Sequence, residues 1–425
     1  HYQTKRKMKS GFGKVKIKVS KKIRLTGRGN NRYNNGILDP LYARSIVIED
    51  LKQNMVILLS LDLLFVGKML TKTIKKKICR KYNINSINIL INATHTHSAP
   101  KTCEQFLDGI DIDNKFFESV NKSSLLAVEL AIKNKMESKI ELYDVENFPS
   151  INRRLVVPKI LSFYPSYYKK KCINRPNRKR PSDTSCRAIK FCLSDNSFFW
   201  LLNAAAHCTV YNGNHISSDY PGYIEKNILK LSLKKTCKGL LFLQGWAGDL
   251  NCDVTKKIKP NFNPISYLER YYIKELFNRS SSQSNLNNIG KSIAKNILKS
   301  KKKKTFTIKK IITKNKYISL PLENETNVSL NIKFFDFGEI KFYAMNGEPL
   351  SNYRNFLLNS LAKYSEYDIF TIGYLEDPIG YIPDIEALNE GGYETDRSIK
   401  YFGLQHRFSH KIQEKIIKCF KSMQD

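Results

Sequence analysis

No run of apolar residues in this 425-residue sequence is long enough to cross a membrane. The longest, residues 55–66, is broken by Ser60 and Asp62 and reads as a buried strand. None of the nine cysteines stands in C-x-x-C spacing, which excludes a zinc ribbon and a legible disulfide framework and leaves free, buried thiols as the expectation. Acidic residues are scarce: 38 Asp and Glu face 72 Lys and Arg, a formal net charge of +34. Such a field favours anionic partners, whether nucleic acid, lipid headgroups or an acidic polysaccharide. Yet Lys, Asn and Ile are abundant throughout, and Lys is spread over most helical segments, so compositional drift accounts for most of the charge. The two charge runs, 169–180 (KKKCINRPNRKR) and 301–304, lack the aromatic interleaving of a single-strand nucleic-acid platform. The first reads as a solvated loop, and the second as the end of a helix, where cations suit the dipole. No nucleic acid is expected as a partner. Internal repeats and linkers are also missing, so residues 1–425 read as a single domain.

What is present is enough for a large core, with 41% hydrophobic and 11% aromatic residues. Apolar strand candidates recur at 45–47, 56–61, 87–91, 198–205, 240–243, 340–345 and 368–372. Several are continuous rather than alternating, which predicts a sheet covered on both faces. Helical patterns lie at 116–135, 223–235, 285–302, 351–364 and 406–422. Asp219 followed by Pro221 reads as the start of the second, with Pro near the first helical position. The pattern is α/β.

Polar residues gather just beyond these strands. Asp62, the pair His95 and His97, His207, Gln244 with Asp249, Glu348, and Tyr374 with Tyr381 each follow an apolar run. In open α/β sheets, ligands bind beyond the carboxyl ends of strands. Only seven histidines occur in the chain, and His95 and His97 point to one side of an extended segment. Alone, an H-x-H is more often a polar pair in a turn, His207 a satisfied core histidine, and Glu348 a capping carboxylate. Together they make a nitrogen and oxygen donor set suited to zinc. Gly245-Trp246-Ala247-Gly248-Asp249 allows close backbone approach to a ligand, or is a tight turn.

In this order the motifs resemble the neutral (non-lysosomal) ceramidase family, specifically its zinc-dependent N-terminal amidase domain. Thr94-His95-Thr96-His97-Ser98-Ala99-Pro100 is similar to its T-H-T-H-S-G-P motif, and Ala206-His207-Cys208-Thr209 to its H-P-T motif. Gln244-Gly245-Trp246-Ala247-Gly248-Asp249 is similar to Q-x-x-x-G-D, and Asn346-Gly347-Glu348 to P-G-E. Asn152-Arg153, Gly380-Tyr381-Ile382-Pro383 and Gly392-Tyr393-Glu394 resemble further blocks. The resemblance implies a mixed sheet flanked by helices, with the active site at the strand C-terminal ends. It implies zinc held by His95, His207, Glu348 and Tyr381. His97 would lie outside that shell and move a proton, and Tyr393 would donate a hydrogen bond to the carbonyl under attack. Asp249 joins this catalytic group, and Arg153, Gln244 and Gly245 the substrate-binding group. For Arg153 a loop salt bridge and an anionic substrate group are equal alternatives.

Two departures from the family pattern stand out. Asn251 replaces the serine of G-D-V-S-P-N, to which a nucleophilic role is assigned. The chain also ends soon after the last motif, which leaves no room for a C-terminal immunoglobulin-like domain. The expected reaction is therefore hydrolysis of a linear amide, in an N-acyl lipid or an N-acylated sugar, by direct attack of zinc-activated water without an acyl-enzyme. The alternative is a lipid- or glycan-binding relative that keeps fold and metal without turnover. Peripheral contact with an anionic membrane is a further expectation. The sequence starts at His1 and shows no leader, so an exported location rests on the resemblance alone.

Overall fold

The computed structural model describes all residues except 1–5, 29–31, 162, 164–170, 233–235, 258–263, 274–276, 363–366 and 425. Continuous apolar runs become strands buried on both faces. In the large sheet the strand order is Cys237–Gln244, Phe198–Ala204, Cys186–Leu193, Met136–Val145, Lys9–Lys16, Tyr42–Glu49, Met55–Leu61 and Ile89–Ala93, with Lys302–Phe306 pairing alongside Met136–Val145. Its two ends are parallel pairs, 55–61 with 89–93 and 198–204 with 237–244, and the pairings between them are antiparallel.

Side chains alternate between two cores. Ile46, Ile48, Val56, Leu58 and Leu90 meet Phe335, Phe342 and Phe370 of a second, four-stranded sheet built from Ile312–Pro321, Asn327–Asp336, Ile340–Met345 and Asp368–Ile372. Val47, Ile57, Leu59 and Ile91 face the other way, onto the helices Lys68–Tyr82 and Asn114–Lys133. At the far end of the sheet Leu202, Leu240 and Phe242 pack on the helices Asp219–Leu231 and Gln283–Lys299. The outer face of the small sheet is covered by the helices Tyr353–Ser360 and Ile412–Ser422 through Leu357, Ile416 and Phe420. The result is a helix–sheet–sheet–helix sandwich. Gly13 sets one spacing in it: a Cβ there would stand 2.0 Å from the Ala127 carbonyl oxygen, so only glycine lets the strand Lys9–Lys16 lie this close to the helix.

Twist brings the strand ends together. A turn of roughly 20–25° per strand accumulates to about half a revolution across eight strands. The end pairs, opposed in the flat order, thereby direct their C-termini to one rim. Ser60 Oγ donates to the Phe242 carbonyl at 2.6 Å, and the Gln244 amide donates to Asn92 Oδ1 at 3.2 Å. Asn92 Nδ2 also donates to the Gly373 carbonyl at 2.6 Å, and Asn203 Nδ2 to those of Leu243 and Thr371. Buried amides thus stitch both sheets together beneath this rim, each donor satisfied as burial requires.

Several expectations change. Residues 302–304 open a strand, not the end of a helix, because the helix stops at Lys299 and Thr305 and Phe306 pair with Glu141 and Ile140. Asp219 is itself the first helical residue, which puts Pro221 third. Within the 169–180 run, Cys172–Asn174 forms a short strand paired with Arg154–Val156, because Cys172 is buried; residues 169 and 170 lie outside the described residues. The helix Lys68–Tyr82 has no counterpart in the sequence reading. Lysines obscure its apolar stripe of Leu70, Ile74 and Ile78. All nine cysteines are free thiols, as expected.

Candidate active site

His95 and His97 leave the strand Ile89–Ala93, and His207 follows Phe198–Ala204. An isolated parallel bridge between Thr96 and Cys208 lays the two histidine loops side by side. Glu348 and Tyr381 lie opposite each other in a short parallel pairing, Glu348–Pro349 with Tyr381–Ile382. His95 adopts φ +65°, a left-handed conformation that costs a non-glycine residue energy and is held only where its surroundings fix it.

The three imidazoles are oriented alike. His95 Nδ1 meets the Leu64 carbonyl at 2.9 Å, His97 Nδ1 that of Gly27 at 2.8 Å, and His207 Nδ1 those of Ala247 and Leu250 at 2.8 and 3.0 Å. Carbonyl oxygens only accept, so each Nδ1 carries a hydrogen, and the neutral tautomer this selects turns its Nε2 lone pair inward. Those lone pairs face one another: His97 Nε2 is 3.3 Å from His95 Nε2, and the ligand atoms of all three histidines lie within 4.8 Å of one another.

The oxygens add to this. A carboxylate oxygen of Glu348, buried and without a hydrogen bond, stands 3.2 Å from His95 Nε2 and 3.3 Å from His207 Nε2. Tyr381 Oη lies 3.4 Å from His207 Nε2. Burial and the nearby Arg153 push the His207 imidazole down to about 3, so it is neutral at physiological pH. Burial raises the Glu348 carboxyl, and only positive charge placed at the histidine nitrogens beside it draws it down, to about 2. Lone pairs and an anion converging in a buried space repel unless a cation joins them. Ligand atoms ~2.0–2.1 Å from a tetrahedral ion are separated by ~3.3 Å. The observed spacings match, so these residues fit a divalent ion. Each imidazole also has the backbone partner that fixes a metal-binding tautomer.

Around this centre lies a cavity of about 850 Å³, lined among others by His97, Arg153, Thr209, Tyr381 and Tyr393. Arg153 is buried. It donates to Glu394 at 2.9 Å, to the Gly248 carbonyl at 2.8 Å and to Tyr381 Oη at 3.0 Å. Arg153 thus makes a salt bridge and also lines the cavity. The Tyr393 ring packs edge-on to Tyr381, 5.6 Å between centroids. Burial, and next the Glu348 charge, raise both phenols.

Other residues of the sequence reading stand behind the cavity. Gln244 spends its amide on the loops: Nε2 donates to the Thr94 and Ala206 carbonyls and Oε1 accepts from the Ala206 amide. Gly245 packs against Ala204 and Ala205, where a Cβ would come within 3.0 Å of the Ala205 methyl. Asp249 accepts from the Ser351 amide at 2.7 Å and from Asn152 at 2.8 Å. Asp62 pairs with Arg44 at 2.7 Å, away from the histidines. Asn251 bridges His207 in register, and neither polar atom of its buried side chain has a partner.

Three residues were not singled out as site residues. Tyr374 lies 4.2 Å from the His95 ring between centroids, with its buried hydroxyl unpartnered. It follows the strand Asp368–Ile372, the same position that marked the others. Glu394 binds both Arg153 and Arg154, and Arg28 donates to the His97 carbonyl. Glu394 stands in the Gly392-Tyr393-Glu394 block without a role assigned to it, and no local pattern marks Arg28.

A search of curated proteins finds no match. The structure is similar to the crystal structure of neutral ceramidase from Pseudomonas aeruginosa, with a TM-score of 0.75 at 14% identity, over 98% of this chain and 74% of that one. A ceramidase complexed with C2 gives the same values. At such identity the likeness establishes the fold. The family model for neutral/alkaline non-lysosomal ceramidase, N-terminal, matches residues 20–247, more than half of the chain, including all three converging histidines. The chain therefore belongs to the neutral/alkaline non-lysosomal ceramidase family.

Proposed function

We propose that the protein, a single catalytic domain over residues 1–425, is a zinc-dependent amidohydrolase that cleaves the linear amide of an N-acyl lipid of ceramide type. Family membership supports a hydrolase acting on such a lipid. The observation that carries the metal-dependent reading is the convergence of the His95 and His207 Nε2 atoms on one Glu348 oxygen. His95, His207, Glu348 and Tyr381 would hold the ion. Bound zinc supplies a Lewis acid for the acyl oxygen and lowers the pKa of water from about 15.7 to about 7.

The chain's own groups do the rest. Tyr393 donates from its hydroxyl to the acyl oxygen as charge develops there. His97, anchored through Nδ1 to Gly27, offers Nε2 to take the proton that the attacking water releases and hand it to the departing amine. Arg153 fixes the Tyr381 phenol and balances Glu394. Asn251 offers an amide donor and acceptor to the substrate in place of a nucleophile, so water attacks directly. The cavity is of a size that takes a small ligand or the head of a larger one. No helix among the described residues is long and apolar enough to cross a membrane; an exported location is proposed from family membership.

A second reading, binding of lipid or glycan without turnover, is motivated by Asn251. One experiment separates the two. Elemental analysis of the purified protein is followed by incubation with N-acyl sphingoid bases and N-acetyl sugars, with release of free amine measured. We expect stoichiometric zinc and amine release from the sphingoid substrates. Zinc without release from any substrate supports the binding reading, and absence of metal overturns both.

A further inference from the structure

Beside the cavity lies a lobe with a small core of its own. It contains the paired strands Arg154–Val156 and Cys172–Asn174, the pair Thr255–Lys257 and Phe277–Arg279, and the helix Pro264–Ile273. Leu155, Val157, Leu161 and Ile273 form its small core, with Ile173 and Leu268 packed against it. The helix therefore turns Leu268 and Ile273 inward. Its other side presents Tyr267 and Tyr271, 73% and 69% exposed and one turn apart. Phe163 is 85% exposed, and Val156 and Ile160 are nearly half exposed. Large apolar side chains concentrated on one lobe mark an interaction surface rather than scattered exposure.

Charge identifies the partner. The segment from Arg154 to Arg180 holds nine Lys or Arg in sequence and no Asp or Glu; of these, Arg154, Arg178 and Arg180 are paired with Glu394, Asp253 and Glu390, and Lys169 and Lys170 lie outside the described residues. Lys171, just before the strand Cys172–Asn174, and Lys256, on the strand Thr255–Lys257, are exposed. Aromatic side chains among cations suit the boundary between headgroups and acyl chains of an anionic bilayer, where tyrosine keeps its ring in the apolar zone and its hydroxyl wet. The lobe also joins the site, since Asn174, at the end of one strand, and Ser281 and Ser282, just past another, line the cavity.

We propose that this lobe seats the protein on an anionic lipid bilayer, with Phe163, Tyr267 and Tyr271 entering the headgroup layer. The seat holds the cavity mouth beside the surface that supplies an N-acyl lipid; only this last step rests on the function proposed above.

The test is co-sedimentation of the full chain with vesicles of phosphatidylcholine, alone or mixed with phosphatidylserine. Binding is expected to the mixed vesicles and to weaken as salt screens the charges. The variant F163S/Y267S/Y271S is expected to bind at least about tenfold more weakly. In K171E/K256E each reversal is expected to cost about fivefold or more. Neither set contacts the reacting groups, so both variants should hydrolyse a water-soluble short-chain N-acyl amine as the unmodified protein does. Equal binding to neutral and anionic vesicles overturns the inference, as does unchanged binding by both variants. A change in oligomeric state by light scattering, with vesicle binding intact, assigns the surface to a second copy and likewise overturns it. Vesicle binding by a protein that hydrolyses no amide leaves the docking surface standing and removes the proposed function.

Discussion

One oxygen of Glu348 stands 3.2 Å from His95 Nε2 and 3.3 Å from His207 Nε2, although both imidazoles spend their hydrogens on backbone carbonyls. An anion facing two lone pairs in a buried space is unstable without positive charge between them. His95→Ala and His207→Ala are therefore expected to lose bound metal altogether. Glu348→Gln, which keeps the shape and removes the charge, should weaken metal binding. Mass-spectrometric metal analysis after dialysis checks this. Stoichiometric metal retained in both histidine variants would contradict the proposed ligand set.

Tyr393 and Tyr381 share the cavity, but their surroundings differ. Tyr381 Oη is within reach of His207 and Arg153, whereas the Tyr393 ring packs on Tyr381 at the cavity wall. Removing a hydroxyl that acts only as charge develops should lower kcat and leave binding alone. Tyr393→Phe is expected to reduce kcat by about 10²-fold or more, with KM and metal content unchanged. Tyr381→Phe should change metal content as well. A Tyr393→Phe enzyme with normal kcat would remove that residue from the reaction.

How far the sequence shows all this depends on whether a local pattern exists. The strands Met55–Leu61 and Ile340–Met345 were legible because both faces are covered and every residue is apolar or nearly so. Met136–Val145 and Cys186–Leu193 were missed because charged side chains interrupt their buried positions. His95, His207, Glu348 and Tyr381 were singled out because each lies just beyond an apolar strand within a recognisable motif. Glu394, bound to Arg153 and Arg154, depends on a contact across the fold that no local spacing encodes. The convergence of the end pairs on one rim comes from twist summed over the whole sheet, which no single segment records.

Asp219 ties down the loop that carries His207. Its buried carboxylate accepts from the amides of Val210 at 3.2 Å, Tyr211 at 3.0 Å and Tyr220 at 2.8 Å. Burial outweighs these bonds and raises its pKa from 3.8 to about 6. A raised carboxyl favours the folded state while it is protonated. That contribution is complete below pH 3.8 and is lost as the pH rises through about 6. Its size is about 3 kcal/mol, since one unit is worth about 1.36 kcal/mol. Asp219→Asn cannot titrate, so the stability of the unmodified protein relative to the variant should fall between pH 4 and 7. Urea unfolding of both proteins over that range measures it, and a pH-independent difference would refute the assignment.

Asn251 sits in register beside His207, at the position where the family pattern has a serine, and its side-chain amide has no partner among the described residues. An amide side chain is not an acyl acceptor at neutral pH, so turnover through this site must proceed without a covalent intermediate on it. Protein quenched with acid during turnover should show no mass increase corresponding to an acyl group. Asn251→Ser provides the comparison. If direct attack by water is intrinsic to this site, the variant should also lack the acyl adduct and should lose affinity for substrate, because serine offers one short hydroxyl where asparagine offers separate donor and acceptor atoms. An acyl adduct on any side chain of the unmodified protein would show that hydrolysis runs through a different nucleophile.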